Sequence, residues 1–431
     1  MSVSVGVLGQ TPRLSGGLSV GAVVALAACV ALLAQQSTVA ALALSGTPLV
    51  ALLTGRPQTA GILGIGLLPF ATDVVGGGPV KVSLSDALLL LAVVTVAAST
   101  RREAGRALVP MLPLLAAYTA VLSVAVAAHL DLAALVNSAQ RLQIVLVPLV
   151  VGAAIVSGRR LRHSLDLYVL ISTLLAVAWS LDALPEVLEY QKNPVGRYIA
   201  AALLVVAADP SRRARLLAVP PLAVGLLQSE SRGALLGLLV GLLVLVVARP
   251  GADKLRTAAV LVPVLVLLGV AYNALPDDVQ ERTATLRDSG PGAGSSGQYT
   301  IQLRAAYRED ALEVIRRDPL TGVGIGNYLA GNSSDGTLTD DPHNVLLLEA
   351  AEGGVPLVGA LTVLVVGSSA LLWRRRTSTP YAAIALAVQA ATVANGLVDV
   401  YWVRGTPVLG WLLVGVALAD AERRRRAADE G

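Results

Sequence analysis

An all-α, polytopic transmembrane helical bundle is the fold class that this 431-residue sequence predicts, on three observations. Hydrophobic residues make up 55% of the chain, mostly Ala, Val and Leu with few aromatics, above the usual share for a soluble domain. They fall in runs of roughly 15 to 25 residues, the length that a hydrocarbon core of about 30 Å asks of a spanning helix. The runs are continuous rather than alternating, which excludes a membrane barrel.

Taken in order, the apolar runs predict helices at 18–35, 37–54, 59–73, 84–99, 107–127, 142–157 and 165–182 in the first half. The second half adds 196–208, 214–228, 232–248, 257–274, 344–373, 380–397 and 403–420. The second and third are short and contain Gly and Pro, so the bundle has 12–14 helices. The first follows Arg13 and is long, which fits an uncleaved helix better than a signal peptide. Cys29 lies inside it as a small buried hydrophobe. A single cysteine leaves no disulfide or thiolate metal site within one chain.

Basic residues mark the connections. They cluster at Arg101, Arg102 and Arg106; at Arg159, Arg160 and Arg162; at Arg212, Arg213 and Arg215; at Arg249, Lys254 and Arg256; at Arg374 to Arg376; and at Arg423 to Arg426. Each cluster falls on an alternate connection, so the positive-inside rule predicts a cytoplasmic face for all of them and for both termini. The net charge of +4 is a topology mark, with no nucleic-acid partner implied. The other connections, 74–83, 128–141, 183–196, 228–232, 275–343 and 398–404, are predicted to face outward from the cytoplasmic (inner) membrane. The expected organisation is N-terminal transmembrane helices over 1–274, one long extracytoplasmic loop over 275–343, and C-terminal transmembrane helices with a cytoplasmic tail over 344–431.

Within the loop, "RDSGPGAGSSGQYT" reads as a flexible lid or linker. In the following "IQLRAAYREDALEVIRRDPL", Ile301, Leu303, Tyr307, Ala311, Val314 and Ile315 recur at helical spacing, which predicts an amphipathic helix ended by Pro319 and lying on the membrane face. "TGVGIGNY" is a Gly-rich turn, a weak signal for phosphate.

The outward ends collect polar residues. Arg232 opens a helix behind Ser229, Glu230 and Ser231, which suits a cap and an anion near free N–H groups; the bland reading is an interfacial snorkel. Arg141, Arg197 and Arg404 are expected on the same side. Arg304 and Arg308, one turn apart, share a face of the loop helix; the bland reading pairs them with Glu309 and Asp310. Several guanidiniums at one face suit a pyrophosphate, whose oxygens they bind in pairs. His343 follows "DDP", with Asp341 read as a cap and Pro342 in the first helical turn. The helix N-terminus would then disfavour imidazolium and leave a neutral base near about pH 7. The bland reading is a boundary histidine bonded to a backbone carbonyl.

"SLSDALLLLA", "NPVGRYIAAALL", "SESRGALLGLLVGL", "RAAYREDALEVIRRDPLTGVGIGNY" and "PHNVLLLEAAEGGVPLVG", in that order across residues 84–360, resemble the O-antigen ligase and polymerase superfamily of membrane glycosyltransferases. The chain departs from the family at Arg308, where Trp is frequent, and at "GGVPL". The resemblance implies a GT-C-like bundle and a metal-independent, inverting glycosyl transfer that uses no cofactor. The implied donor is a glycan on a polyprenyl pyrophosphate in the membrane lipid, and the acceptor a glycan or glycolipid hydroxyl. It implies His343 as the catalytic base, Arg232 with Arg304 on the diphosphate, and Arg308, Arg141, Arg197 and Arg404 as further substrate contacts. A ligase and a polymerase use the same donor, and a protein O-glycosylating transferase differs only in acceptor. A lipid-glycan transporter is the alternative from another class; the absence of an evident internal repeat and the placing of charges at segment ends weigh against it.

Overall fold

The computed structural model describes residues 57–69, 73–76, 81–99, 101–154, 158–183, 192–209, 213–249, 296–328, 330–331, 338–339, 341–399 and 406–430. The helices expected at 18–35, 37–54 and 257–274, with Cys29, lie outside them. In chain order the elements are α1 (Pro57–Gly66), β1 (Asp73–Gly76), β2 (Lys81–Ser83), α2 (Leu84–Ser99), α3 (Arg101–Leu108), α4 (Leu112–Ala128), α5 (Leu132–Ala154), α6 (Gly158–Ser180) and α7 (Lys192–Ala208). There follow α8 (Arg213–Leu216), α9 (Val219–Gln228), α10 (Arg232–Ala248), α11 (Ser296–Arg317), β3 (Ala330–Gly331), β4 (Leu338–Thr339), α12 (Val345–Arg374), α13 (Tyr381–Gly396) and α14 (Val408–Asp429).

This is an all-α polytopic bundle. Among the described residues the strands form only two small antiparallel pairs, β1 with β2 and β3 with β4. Among the described residues, four helices are long and apolar enough to cross a membrane: Ala104–Ala128, Leu132–Ala154, Arg160–Ser180 and Val345–Arg374. Shorter apolar helices, α10 and α13 among them, pack within the bundle. On α10 the exposed residues Leu236, Leu239, Leu243 and Val247 line one face, an apolar stripe that suits lipid rather than water.

Boundaries differ from the sequence reading where polar residues interrupt a helix that continues. The run expected at 142–157 is α5, which starts ten residues earlier; the outward connection expected at 128–141 contracts to a short turn, and Asp131 caps α5 by accepting from the Ala134 N–H at 2.6 Å. The arginine turn expected near 159–162 is the first turn of α6, where His163 is exposed. The helix expected at 59–73 is the shorter α1, with β1 beginning at Asp73. α2 starts where expected because Ser83 and Asp86 cap each other: the Ser83 N–H donates to Asp86 Oδ2 (3.1 Å) and the Asp86 N–H to Ser83 Oγ (3.2 Å).

Small residues set the closest helix contacts, the usual device where lipid removes a hydrophobic drive between helices. On α10, Gly233, Gly237 and Gly241 face Asn395, Ala391 and Ala387 of α13. α5 and α14 pack through a reciprocal pair: a Cβ on Gly152 would overlap the Leu412 carbonyl oxygen, and one on Gly415 the Leu149 carbonyl oxygen. Gly152→Ala is therefore expected to destabilise the protein by about 1–3 kcal/mol, because backbone must move; thermal unfolding in detergent reads it, and an unchanged midpoint would contradict this packing.

The loop helix corrects an expectation. α11 turns Tyr307 and Ala311 onto Leu348 and Ala351 of α12 and onto Tyr328, with Val314, Ile315, Val323 and Leu347 packed around them, so its apolar face is covered by protein rather than laid on a membrane. The Gly-rich turn that follows docks on a break in α12. At Gly354 the backbone leaves the helix (φ 74°, ψ 178°), which strands carbonyls above and N–H groups below. Val323 N–H donates to the Ala351 carbonyl (2.9 Å), Gly324 N–H to the Glu352 carbonyl (3.0 Å), and Val355 N–H to the Pro319 carbonyl (2.8 Å). Gly322, at φ 63°, has no room for a Cβ against Glu352. The turn thus serves to complete a broken helix.

Candidate functional site

His343 stands at the join between loop and α12. Asn344, three residues after the expected cap Asp341, caps that helix: its Oδ1 accepts from Leu346 N–H (3.0 Å) and Leu347 N–H (3.2 Å). Its Nδ2 also donates to the Leu397 carbonyl at the end of α13 (2.9 Å). Asp341 is not the cap, and Pro342 is not in the first turn; instead Asp341 Oδ1 accepts from the His343 N–H at 2.6 Å, turning the chain about Pro342. His343 therefore precedes the helix, in the left-handed region at φ 55°. For a non-glycine residue that conformation costs on the order of 1–3 kcal/mol and belongs with sites that need a side chain aimed.

The side chain is aimed at Asp399. His343 Nδ1 lies 2.9 Å from Asp399 Oδ1. An ionised carboxylate only accepts, so Nδ1 carries the hydrogen and Nε2 is the nitrogen left to take a proton. Tyr307 stacks on the imidazole, ring centroids 6.3 Å apart and planes 25° apart. Burial pushes the Tyr328 phenol up, so it remains a neutral donor to the Tyr307 carbonyl (3.1 Å). Nothing in the sequence reading singled out Asp399. The available signal was a lone acid, at the outward end of "NGLVDVYW", on a face otherwise collecting arginines.

Asp399 also joins two of the expected arginines. Arg197 Nη2 is 3.1 Å from its Oδ2 and Arg304 Nη2 3.8 Å from its Oδ1; Arg304 Nη1 donates to the Val398 carbonyl (3.1 Å). Arg197 is buried and Arg304 partly exposed. The cluster of two guanidiniums, one imidazole and one carboxylate keeps a positive surplus even with a neutral imidazole. Arg232 stands in the first turn of α10, exposed, behind its cap Ser231, whose Oγ accepts from the Ala234 N–H (3.3 Å). Its neighbour Gly233 abuts Asn395 and Val398, which puts Arg232 at the same end of the bundle. The clusters at Arg215, Arg249 and Arg375 mark the other end, where Arg249 donates to the Ala208 carbonyl and Arg375 to the Leu418 carbonyl.

The remaining candidates separate. Arg308 is exposed on α11 and makes no ion pair among the described residues; Arg304 turns inward. Arg404 lies outside the described residues. Arg141 is not in the cluster. It is buried midway along α5, with Nη1 2.7 Å from Glu349 Oε1 and Nη2 bonded to Glu352. Backbone N–H groups of Gly326 and Tyr328 also reach the Glu352 carboxylate. Arg141 thus ties α5 to the break in α12, and the polar stretch "NSAQRLQ" that reads as a connection is a helix whose charge is met from elsewhere.

A small cleft opens beside this cluster, lined by Tyr168, Arg197, Tyr198, Ala234, Asn395 and Thr406 among others. Small side chains on α7, α10 and α13 leave the space. Among the described residues, no group of three or more His, Cys, Asp or Glu side chains stands close enough to hold a metal ion.

No curated protein matches the chain. The family model described as O-antigen ligase matches residues 216–362, a stretch that contains Arg232, Arg304, Arg308 and His343 and stops short of Asp399. The ordered motifs, the apolar bundle and this match agree: residues 216–362 are similar to the O-antigen ligase family, consistent with the O-antigen ligase and polymerase superfamily.

Proposed function

We propose that this protein transfers a glycan from a polyprenyl pyrophosphate carrier to an acceptor hydroxyl at the outer face of the cytoplasmic membrane. The observation that carries the reading is the His343–Asp399 bond with Arg197 and Arg304 on the same carboxylate, at the bundle end opposite the basic clusters. The positive-inside rule makes the basic end cytoplasmic and the cluster external.

In this reaction the acceptor oxygen attacks the anomeric carbon while its proton passes to His343 Nε2. The bond from that carbon to the pyrophosphate oxygen breaks, and polyprenyl pyrophosphate leaves with the electron pair. Asp399 holds the ring tautomer and faces the imidazolium as it forms, a role known from other carboxylate–histidine pairs. Arg232 and Arg304 neutralise charge growing on the leaving group; Arg304 Nε is buried without a partner, a donor still to be satisfied. Arg308 lies on the same helix for contact with the glycan. Pyrophosphate is already a good leaving group, so guanidiniums in a low-dielectric setting supply the electrostatic stabilisation without a metal. Attack opposite the leaving group inverts the anomeric carbon. A polymerase would differ in acceptor alone.

The test is reconstitution with a purified lipid-linked oligosaccharide and candidate glycan, glycolipid and peptide acceptors. The expected result is an inverted glycosidic product that still forms in excess chelator; a strict Mg²⁺ requirement would remove the mechanism. Arg232→Ala and Arg304→Ala are each expected to weaken donor capture by about 10- to 100-fold, the loss of a charge-assisted hydrogen bond. Wild-type affinity in both would remove the diphosphate assignment.

A further inference from the structure

We propose that Asn395 and Arg197 form a hydroxyl-binding subsite at the head of the cleft, which reads a neutral sugar hydroxyl rather than the diphosphate. The inference rests on the proposed transfer reaction; the resemblance already implies Arg197 as a substrate contact, and what is added is Asn395 and the hydroxyl that the two would read together.

Two unmet polar atoms carry it. The side-chain oxygen of Asn395 and the Nε of Arg197 are both buried with no hydrogen-bond partner. Both residues are more than nine-tenths buried, Asn395 at 3% and Arg197 at 9% exposure, and both line the same cleft. Asn395 sits one turn before Asp399, the residue that holds the far end of Arg197. Arg197 shares the Asp399 carboxylate with His343, and Asn395 Oδ1 stands where the cleft meets Gly233 of α10.

An unsatisfied buried donor or acceptor costs about 1–3 kcal/mol, and native proteins carry few of them. A pair that survives in one cleft points to an occupant that satisfies both. The two have opposite polarity: the amide oxygen accepts and the guanidinium Nε–H donates. A phosphate oxygen would serve Arg197 and repel the amide oxygen. An O–H group donates to one and accepts from the other. The hydroxyl has two sources, the sugar next to the pyrophosphate on the donor, or the acceptor sugar.

Binding in detergent micelles separates them. The first arm compares polyprenyl pyrophosphate carrying one hexose with bare polyprenyl pyrophosphate; the second titrates methyl glucoside into protein saturated with the bare lipid. Asn395→Leu, of similar volume, and Asn395→Ala, which fits the small-residue face against Gly233, are both used. Each is expected to weaken one arm by about 3- to 10-fold, the loss of one hydrogen bond. Bare-lipid affinity should be unchanged, and the melting temperature unchanged or raised, since an unmet polar group has been removed. A change in the first arm assigns the donor sugar and a change in the second the acceptor. Unchanged affinity in both arms would show that the pair holds only water, and a lowered melting temperature in both variants would show a structural role; either overturns the subsite. A wild-type protein that binds neither lipid would instead overturn the donor reading, while the methyl glucoside arm, run without lipid, still reads the pair.

Discussion

His343→Ala is expected to lower glycan transfer by about 10²- to 10⁴-fold, the usual contribution of a positioned general base, while leaving donor binding measurable. The expectation follows from geometry. The left-handed turn at His343 (φ 55°), the cap at Asn344 and the Nδ1 bond to Asp399 at 2.9 Å fix the ring through one nitrogen and leave Nε2 to take a proton. Because the diphosphate contacts are assigned to other side chains, the loss should fall on kcat rather than on donor affinity. Asp399→Asn sharpens the test. An asparagine amide that donates to Nδ1 would leave the proton on Nε2, the wrong tautomer for a base, so transfer should fall again with little change in donor affinity. Single-turnover kinetics at saturating donor reads both variants. Unchanged product formation in His343→Ala would end the catalytic assignment.

The second large effect is structural. Arg141→Ala is expected to destabilise the protein by about 3–5 kcal/mol, because it leaves buried carboxylates without their counter-ion. Arg141 bonds Glu349 and Glu352 together, and Glu352 adjoins the Gly354 break to which the Gly-rich turn is docked. Loss of the cation should therefore loosen the loop helix as well as the bundle. Protease cleavage within 296–328 reports the first and thermal unfolding the second. Replacing all three charges together, Arg141→Met with Glu349→Gln and Glu352→Gln, should recover much of the loss, since it is the unpaired charge that is expensive. An Arg141→Ala protein of wild-type stability that instead loses donor affinity would return Arg141 to the binding site.

The sequence by itself determined the membrane-bundle class, because spanning length and apolar content are local properties of a run of residues. It also determined most helix positions, the loop helix and the two motifs at His343 and Arg232. Local patterns located α2 at Leu84–Ser99 and α10 at Arg232–Ala248 because caps and composition act within one turn.

Tertiary structure decided how the charges are used. Arg141 reads as one more outward arginine until Glu349 and Glu352, more than two hundred residues later, are brought against it. Arg304 and Arg308 look equivalent at one-turn spacing, yet one turns to Asp399 and the other to the exposed side. Asp399 passed unnoticed since its meaning lies in three partners from three other segments. The Gly-rich "TGVGIGNY" carries only a weak signal for phosphate in the sequence, and in the fold it mends a broken helix. The physical reason is common to all four: a buried charge or an unmet backbone group is compensated by whatever the fold brings within about 3 Å, and sequence spacing carries no record of that distance.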